Sequence, residues 1–323
     1  IYTGGTTING GTLAVNGSIL GPVTINPGGT LGGTGTISGN VSGGGRVAPG
    51  NSPGILTIEG DFTQTATSAL EIEVGGRDLD GTPGVDFDQV QVTGQAAVGG
   101  RLVVPIINGF DPQLNDEITF LTAQDGVTGN FNALVSPNLA SVNPNMALQI
   151  IKSPPEPDTT EIRLRFVAPS IDIQFDNTDA QPATWSESVN WTTDTVPGSV
   201  NIINLQNVPG TSQQVNVEDA DALVHQLNVT GSTGVMTVSV QNGNYLSATV
   251  GTVVGNQAAI ELDDGNVVSP SIAVEGGGLL AGNGAVAGDL VIGTASGTQQ
   301  ATLSPGFSVG HLDVDGDYTQ AAR

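Results

Sequence analysis

The stretch DLDGTPGVDFD sets four carboxylates, Asp78, Asp80, Asp86 and Asp88, in one short run rich in Gly and Pro. Hard oxygen ligands on a turn-rich loop are what Ca²⁺ accepts, so these four are the candidate metal ligands of the chain. Their spacing matches neither the EF-hand loop nor the nonapeptide calcium repeat, and the same residues also read as an ordinary solvated loop. A second acidic row, Asp313, Asp315 and Asp317, alternates along HLDVDGDY. Side chains at i and i+2 on one strand face stand roughly 7 Å apart. That separation is awkward for one ion and suits an exposed acidic stripe.

Nucleophilic and general-base chemistry finds little to use. The two histidines are His225, in VHQLNV, and His311, beside the acidic row. A Ser-His-Asp arrangement would need one of them buried beside a serine, and no local pattern points to that. Glycine runs such as GGTGTISG lack the following helix or lysine that a phosphate loop requires. Arg163 and Arg165 share one face of EIRLRF, where carboxylate partners would account for them. No residue is assigned a catalytic or cofactor-binding role, and calcium at the acidic loop is the one cofactor considered.

Composition narrows the partners. Seven basic residues against 31 acidic ones give a net charge of −24. A nucleic-acid binder needs a basic footprint to neutralise phosphates, and anionic membrane surfaces are disfavoured for the same reason. No apolar run is long enough for a spanning helix. There is no cysteine, so disulfides and thiolate metal sites are excluded.

The elements that must position these residues are short strands. Forty-seven glycines and 18 prolines, with abundant Thr, Val and Asn, favour many strands joined by tight turns. No stretch sustains a helical period. The phrase VAPGNSPGILTIEGDFTQ (47–64) returns as LSPGFSVGHLDVDGDYTQ (303–320), with Pro49/Pro305, Gly50/Gly306, Gly54/Gly310, Leu56/Leu312, Gly60/Gly316 and Asp61/Asp317 among the shared residues. Upstream, LGGTGTISGNV (31–41) matches LAGNGAVAGDL (280–290), and the second copy carries an insertion around 293–302. Read as one strand, ILTIEGDF turns Leu56, Ile58, Gly60 and Phe62 to one face, and Thr57, Glu59 and Asp61 to the other. Wound as a coil, such strands pair with the turns above and below around a continuous core.

YTGGTTINGGTLAV (2–15) resembles the passenger-associated transport repeat of bacterial autotransporters, and LGGTGTISGNV with the phrase 47–64 resembles the continuation usual in those passengers. The resemblance implies right-handed β-helices on, or released from, the cell surface, with no catalysis implied. FDQVQVTGQAAVGGRLVV and DEITFLTAQDGVTGNF (87–104 and 116–131) resemble the segment that closes such passengers. ATWSESVNW, with Trp185 and Trp191, resembles the start of many bacterial solenoid modules. A solenoid follows the closing segment here, where an autotransporter has a membrane barrel.

The expectation is an all-β chain of right-handed parallel β-solenoid modules with an intervening β-sandwich-like cap. Residues 1–75 end a first solenoid, 76–168 form the cap, 169–200 the Trp-containing N-terminal cap of the next module, and 201–323 a second solenoid, truncated. The repeated phrase is then the last turn of each module. The function expected is a non-enzymatic structural or adhesive protein of a bacterial surface, extracellular, associating end to end or into fibres. A host or matrix glycan or protein is a further partner, and nucleic acid and membrane insertion are not. A self-assembling filament subunit and a carbohydrate-active β-helix enzyme are the alternatives.

Overall fold

The computed structural model describes residues 4–78, 81–171, 173–175, 182–192, 195–293, 299–306 and 310–321. It is almost entirely β. The helical pieces among these residues are one α-turn, Leu139–Val142, and one 3₁₀ turn, Ser188–Asn190. The chain divides into two compact units, 1–168 and 169–323.

In the first unit the chain returns to the same sheet at every third strand. The first sheet stacks Thr6–Ile8, Val23–Ile25, Val41–Gly43, Phe62–Gln64, Ala96–Val98 and Val127–Gly129, all parallel. The second runs from Gly11–Ala14 to Ala133–Val135 in the same way. The third climbs from Ser18–Leu20 through Thr36–Ser38, Ile55–Ile58 and Gln89–Val92 to Glu117–Ala123. Alternation decides what points inward. Ile58, Ile37 and Val92 are in register and buried, while Thr57 is half-buried and Glu59 exposed. Corner side chains tie one turn to the next. Asn40 Oδ1 accepts from Asp61 N at 2.9 Å, and Asp61 Oδ1 accepts from Gln95 N at 2.9 Å.

Three expectations are corrected here. ILTIEGDF is not one strand, because Ile55–Ile58 belongs to the third sheet and Phe62–Gln64 to the first, with a corner over 59–61. The inward alternation survives the corner, which is why it reads as continuous. The repeated phrase is not the last turn of the first unit, since the ladders continue through Val127–Gly129 and Ala133–Val135. A sandwich-like segment does not begin at 76. Parallel pairing runs on to 135, and antiparallel pairing enters only where Glu161–Val167 joins Glu117–Ala123 and Ala147–Ser153 joins Glu161–Val167. These last strands cover an edge that would otherwise leave its backbone groups unpaired.

Among the described residues the second unit is one eleven-stranded sheet. Ala183–Thr184 pairs with Gln213–Val217 just before Trp185. Trp185 and Trp191 are buried with their rings 4.7 Å apart, and Trp191 Nε1 donates to Trp185 O at 2.8 Å. Two long strands follow, Ala258–Val274 and Leu279–Ile292, paired in parallel with register shifts at Asp263/Gly265 and Val268/Ser271. Leu279–Ile292 carries three short strands on its other side: Thr302–Pro305, Leu312–Asp315 and Tyr318–Gln320. Of the expected insertion around 293–302, residues 294–298 lie outside the described residues.

The repeated phrase is therefore the same structure twice. Arg46–Pro49, Ile55–Ile58 and Phe62–Gln64 in the first unit answer to those three closing strands in the second. Gly50 N donates to Gly33 O at 2.8 Å, and Gly306 N donates to Gly282 O at 2.6 Å. Gly33 and Gly282 sit at φ +100° and +107°, a left-handed conformation that side chains resist.

Candidate functional site

The acidic loop does not gather its carboxylates. Asp78 Oδ1 accepts from Thr119 N at 3.1 Å and its Oδ2 from Thr119 Oγ1 at 2.8 Å. Asp86 Oδ2 accepts from Thr82 N at 2.7 Å, closing its own loop. Asp88 is buried, with Oδ1 accepting from Gly54 N at 2.7 Å and Oδ2 from Glu73 N at 2.9 Å. Asp80 lies outside the described residues. Among the described residues, no three His, Cys, Asp or Glu side chains stand where they could share an ion. Asp88 ties the repeated phrase's PGNSPG turn, through Gly54, to Glu73, just past the strand Ala69–Glu71. Burial pushes the Asp88 carboxyl up to about 7, against the pull of its two amide bonds,.

The other singled-out residues lie apart. His311 is exposed, and its Nε2 lies 2.6 Å from Asp313 Oδ1. Asp313, Asp315 and Asp317 are exposed. His225 is buried at 3% exposure, its Nδ1 has no partner, and burial lowers its pKa to about 4. It is a neutral imidazole inside the second unit.

The structure does bring polar groups together at one place that the sequence only hinted at. Beside the strand Glu117–Ala123 is an open cleft of about 430 Å³. Arg77 enters it from the loop and bonds Asp116 Oδ1 at 2.8 Å. Asp116 is buried, and its other oxygen accepts from Gln113 N at 2.8 Å. Asp78, Asn115 and Glu117 also line the cleft. Antiparallel pairing sets Thr119 opposite Arg163 and Glu117 opposite Arg165. Arg163 donates through Nε (3.1 Å) and Nη2 (2.7 Å) to Glu161 Oε2, which raises its pKa. Arg165 pairs with Glu117. A register shift between Thr119 and Leu121 interrupts the ladder here, as a β-bulge does. Sequence reading singled out Asp78, Arg163 and Arg165 but missed Arg77, Asn115, Asp116, Glu117 and Thr119. The available signal was complementary alternation: Glu117 and Thr119 on one strand, Arg163 and Arg165 on the next.

No protein-family model matches the chain, and no curated protein matches it.

Proposed function

We propose that the chain is a non-enzymatic structural or adhesive stalk of a bacterial cell surface, built of right-handed β-solenoid modules. The observation that carries this reading is the three-strand turn written once in each unit, with two strands at matching bounds and the third displaced by one residue, and the same Gly–Gly bond between turns. A turn used twice in this way is a building unit. In the first unit its pairing with the turns on either side makes stability a sum of neighbour contacts along one axis, and backbone ladders along that axis give stiffness. In the first unit, six stacked strands span about 24 Å at the usual inter-strand spacing. A net charge of −24 keeps such a body soluble and attracts bridging cations. Thr302–Pro305, Leu312–Asp315 and Tyr318–Gln320 pair on one side only among the described residues. That edge is a template for another copy or for more chain.

Small-angle X-ray scattering of the purified chain tests the proposal. A stalk requires an elongated particle, with association that rises with concentration. A compact, isotropic monomer would overturn it, and product release from a glycan panel would replace it with an enzyme.

A further inference from the structure

We propose that the cleft beside Glu117–Ala123 binds a neutral polyhydroxylated ligand, a short run of an oligosaccharide. The lining side chains are all polar or charged: Arg77, Asp78, Asn115, Asp116 and Glu117, then Thr119 and Arg163. Their carbon stems supply the apolar surface, beside polar groups that a wholly apolar ligand would leave unpaired,. Among the described residues, and counting their partners Glu161 and Arg165, three guanidiniums face four carboxylates. A cation would meet the arginines and an anion the acids, so neither is favoured. A hydroxyl donates and accepts at once, and interleaved guanidinium, carboxylate and amide groups serve both needs.

Capacity remains for such a ligand. A carboxylate offers about four acceptor sites, and the two oxygens of Asp78 each take one bond from Thr119. Arg163 spends Nε and Nη2 on Glu161, while Nη1 stands 3.8 Å from Glu117 Oε2, beyond hydrogen-bonding distance. The Asn115 backbone is fixed by a 2.8 Å bond to Phe166 O, and its exposed amide adds two donors and an acceptor. The groups are also set in advance. Asp116 is buried and bonded at both oxygens, and Arg163 is held on a paired strand. Binding then costs little side-chain ordering. The volume falls in the range of small-ligand sites, which suits one or two sugar rings at a time.

The purpose of this site rests on the adhesive reading above, but its chemistry does not. Scattering tests the stalk and titration tests the cleft, so one can fail without the other. The experiment is calorimetric titration of the full chain with neutral tetrasaccharides of gluco-, manno-, galacto- and N-acetylglucosamine type, and with a sulfated heparin tetrasaccharide. At least one neutral tetrasaccharide should bind. Asp78→Ala and Arg163→Gln should each weaken it roughly tenfold or more, the loss of bonds to a charged group. Asn115→Gly, which removes the amide and is at ease at the φ of +70° found there,, should weaken it too, and this guards against misfolding of the other variants. Arg46→Gln, at an ion pair with Glu71 outside the cleft, should bind as the parent does. The proposal is overturned if no neutral tetrasaccharide binds or if affinity survives all three cleft variants. Binding of the sulfated probe alone, lost with salt, would also overturn it, because the cleft would then be an anion site.

Discussion

Phe62 and Tyr318 hold the same place in the two copies of the repeated phrase, yet their surroundings differ. Phe62 is 1% exposed and stands in register between Val41 and Ala96. Tyr318 is 49% exposed and has Leu290 on one side only. Truncating each to alanine removes nearly the same side chain from the same local sequence, so burial is the variable. Phe62→Ala leaves a cavity closed on both sides and should cost about 3–5 kcal/mol. Tyr318→Ala gives up only part of an aromatic side chain's transfer free energy and encloses no cavity, so its cost should stay under about 1.5 kcal/mol. Urea titration can separate the two. Trp185 and Trp191 both lie in the second unit, so tryptophan fluorescence reports that unit alone, while circular dichroism reports both. Phe62→Ala should move a dichroism transition that fluorescence does not follow, and Tyr318→Ala should shift the fluorescence transition slightly. Equal costs, within about 0.5 kcal/mol, would mean that the two copies are equally enclosed and that the assigned pairing is wrong at one of them.

Leu56→Asp should cost several kcal/mol and Thr57→Asp on the order of 0.5 kcal/mol, since Leu56 is buried and its neighbour only half so; the reverse ranking in denaturant titrations would put the register off by one residue. Asp88 titrates near 7 in the folded first unit against 3.8 ordinarily. Its stabilising share is therefore complete below about pH 4 and is lost as pH rises through 7, by up to about 4 kcal/mol. Dichroism-monitored urea titrations should show that fall, and Asp88→Asn should flatten it; stability that instead rises over this window would mean that the two amide bonds outweigh burial. His225 has the opposite sign, with a folded value near 4 against 6.5. Its share is present above 6.5 and is lost as pH falls through 4, which tryptophan fluorescence should follow and His225→Gln should remove; a second unit indifferent to pH there would place the imidazole in water.

How much of this was legible in the sequence depended on whether local pattern or distant pairing decided it. Inward and outward faces were legible, because alternation survives a corner: Leu56, Ile58 and Phe62 all point in although two sheets share them. The corner itself was not, since Glu59-Gly60-Asp61 keeps the period of two while changing sheet. The continuation of the ladders to 135 was hidden by longer spacers. Gln95 N reaches Asp61 Oδ1 across 34 residues, where earlier turns close over 17 or 18. The acidic loop advertised its carboxylates but not their partners. Asp78 bonds to Thr119, 41 residues on, and no local rule connects the two.

The repetition also says where chemistry is to be sought. Almost every shared letter of the phrase has a geometric duty. Leu56 and Leu312 point inward, and a Cβ on Gly54 or Gly310 would collide with the Cα of Gly50 or Gly306. The corner oxygen of Asn40, and of Asp289 in the matching turn, accepts the amide of Asp61 or Asp317. Residues kept for the shape of a turn are spent, and a ligand cannot use them without unmaking the turn. What the first unit adds beyond the phrase is the segment between Ala69–Glu71 and Gln89–Val92, which carries Arg77 and Asp78, and the antiparallel strand that carries Arg163 and Arg165. These meet at one cleft. The ladders hold that cleft rigid but do not dictate its residues, so it is there, rather than in the repeated turn, that selection for a ligand could act without loss of the fold.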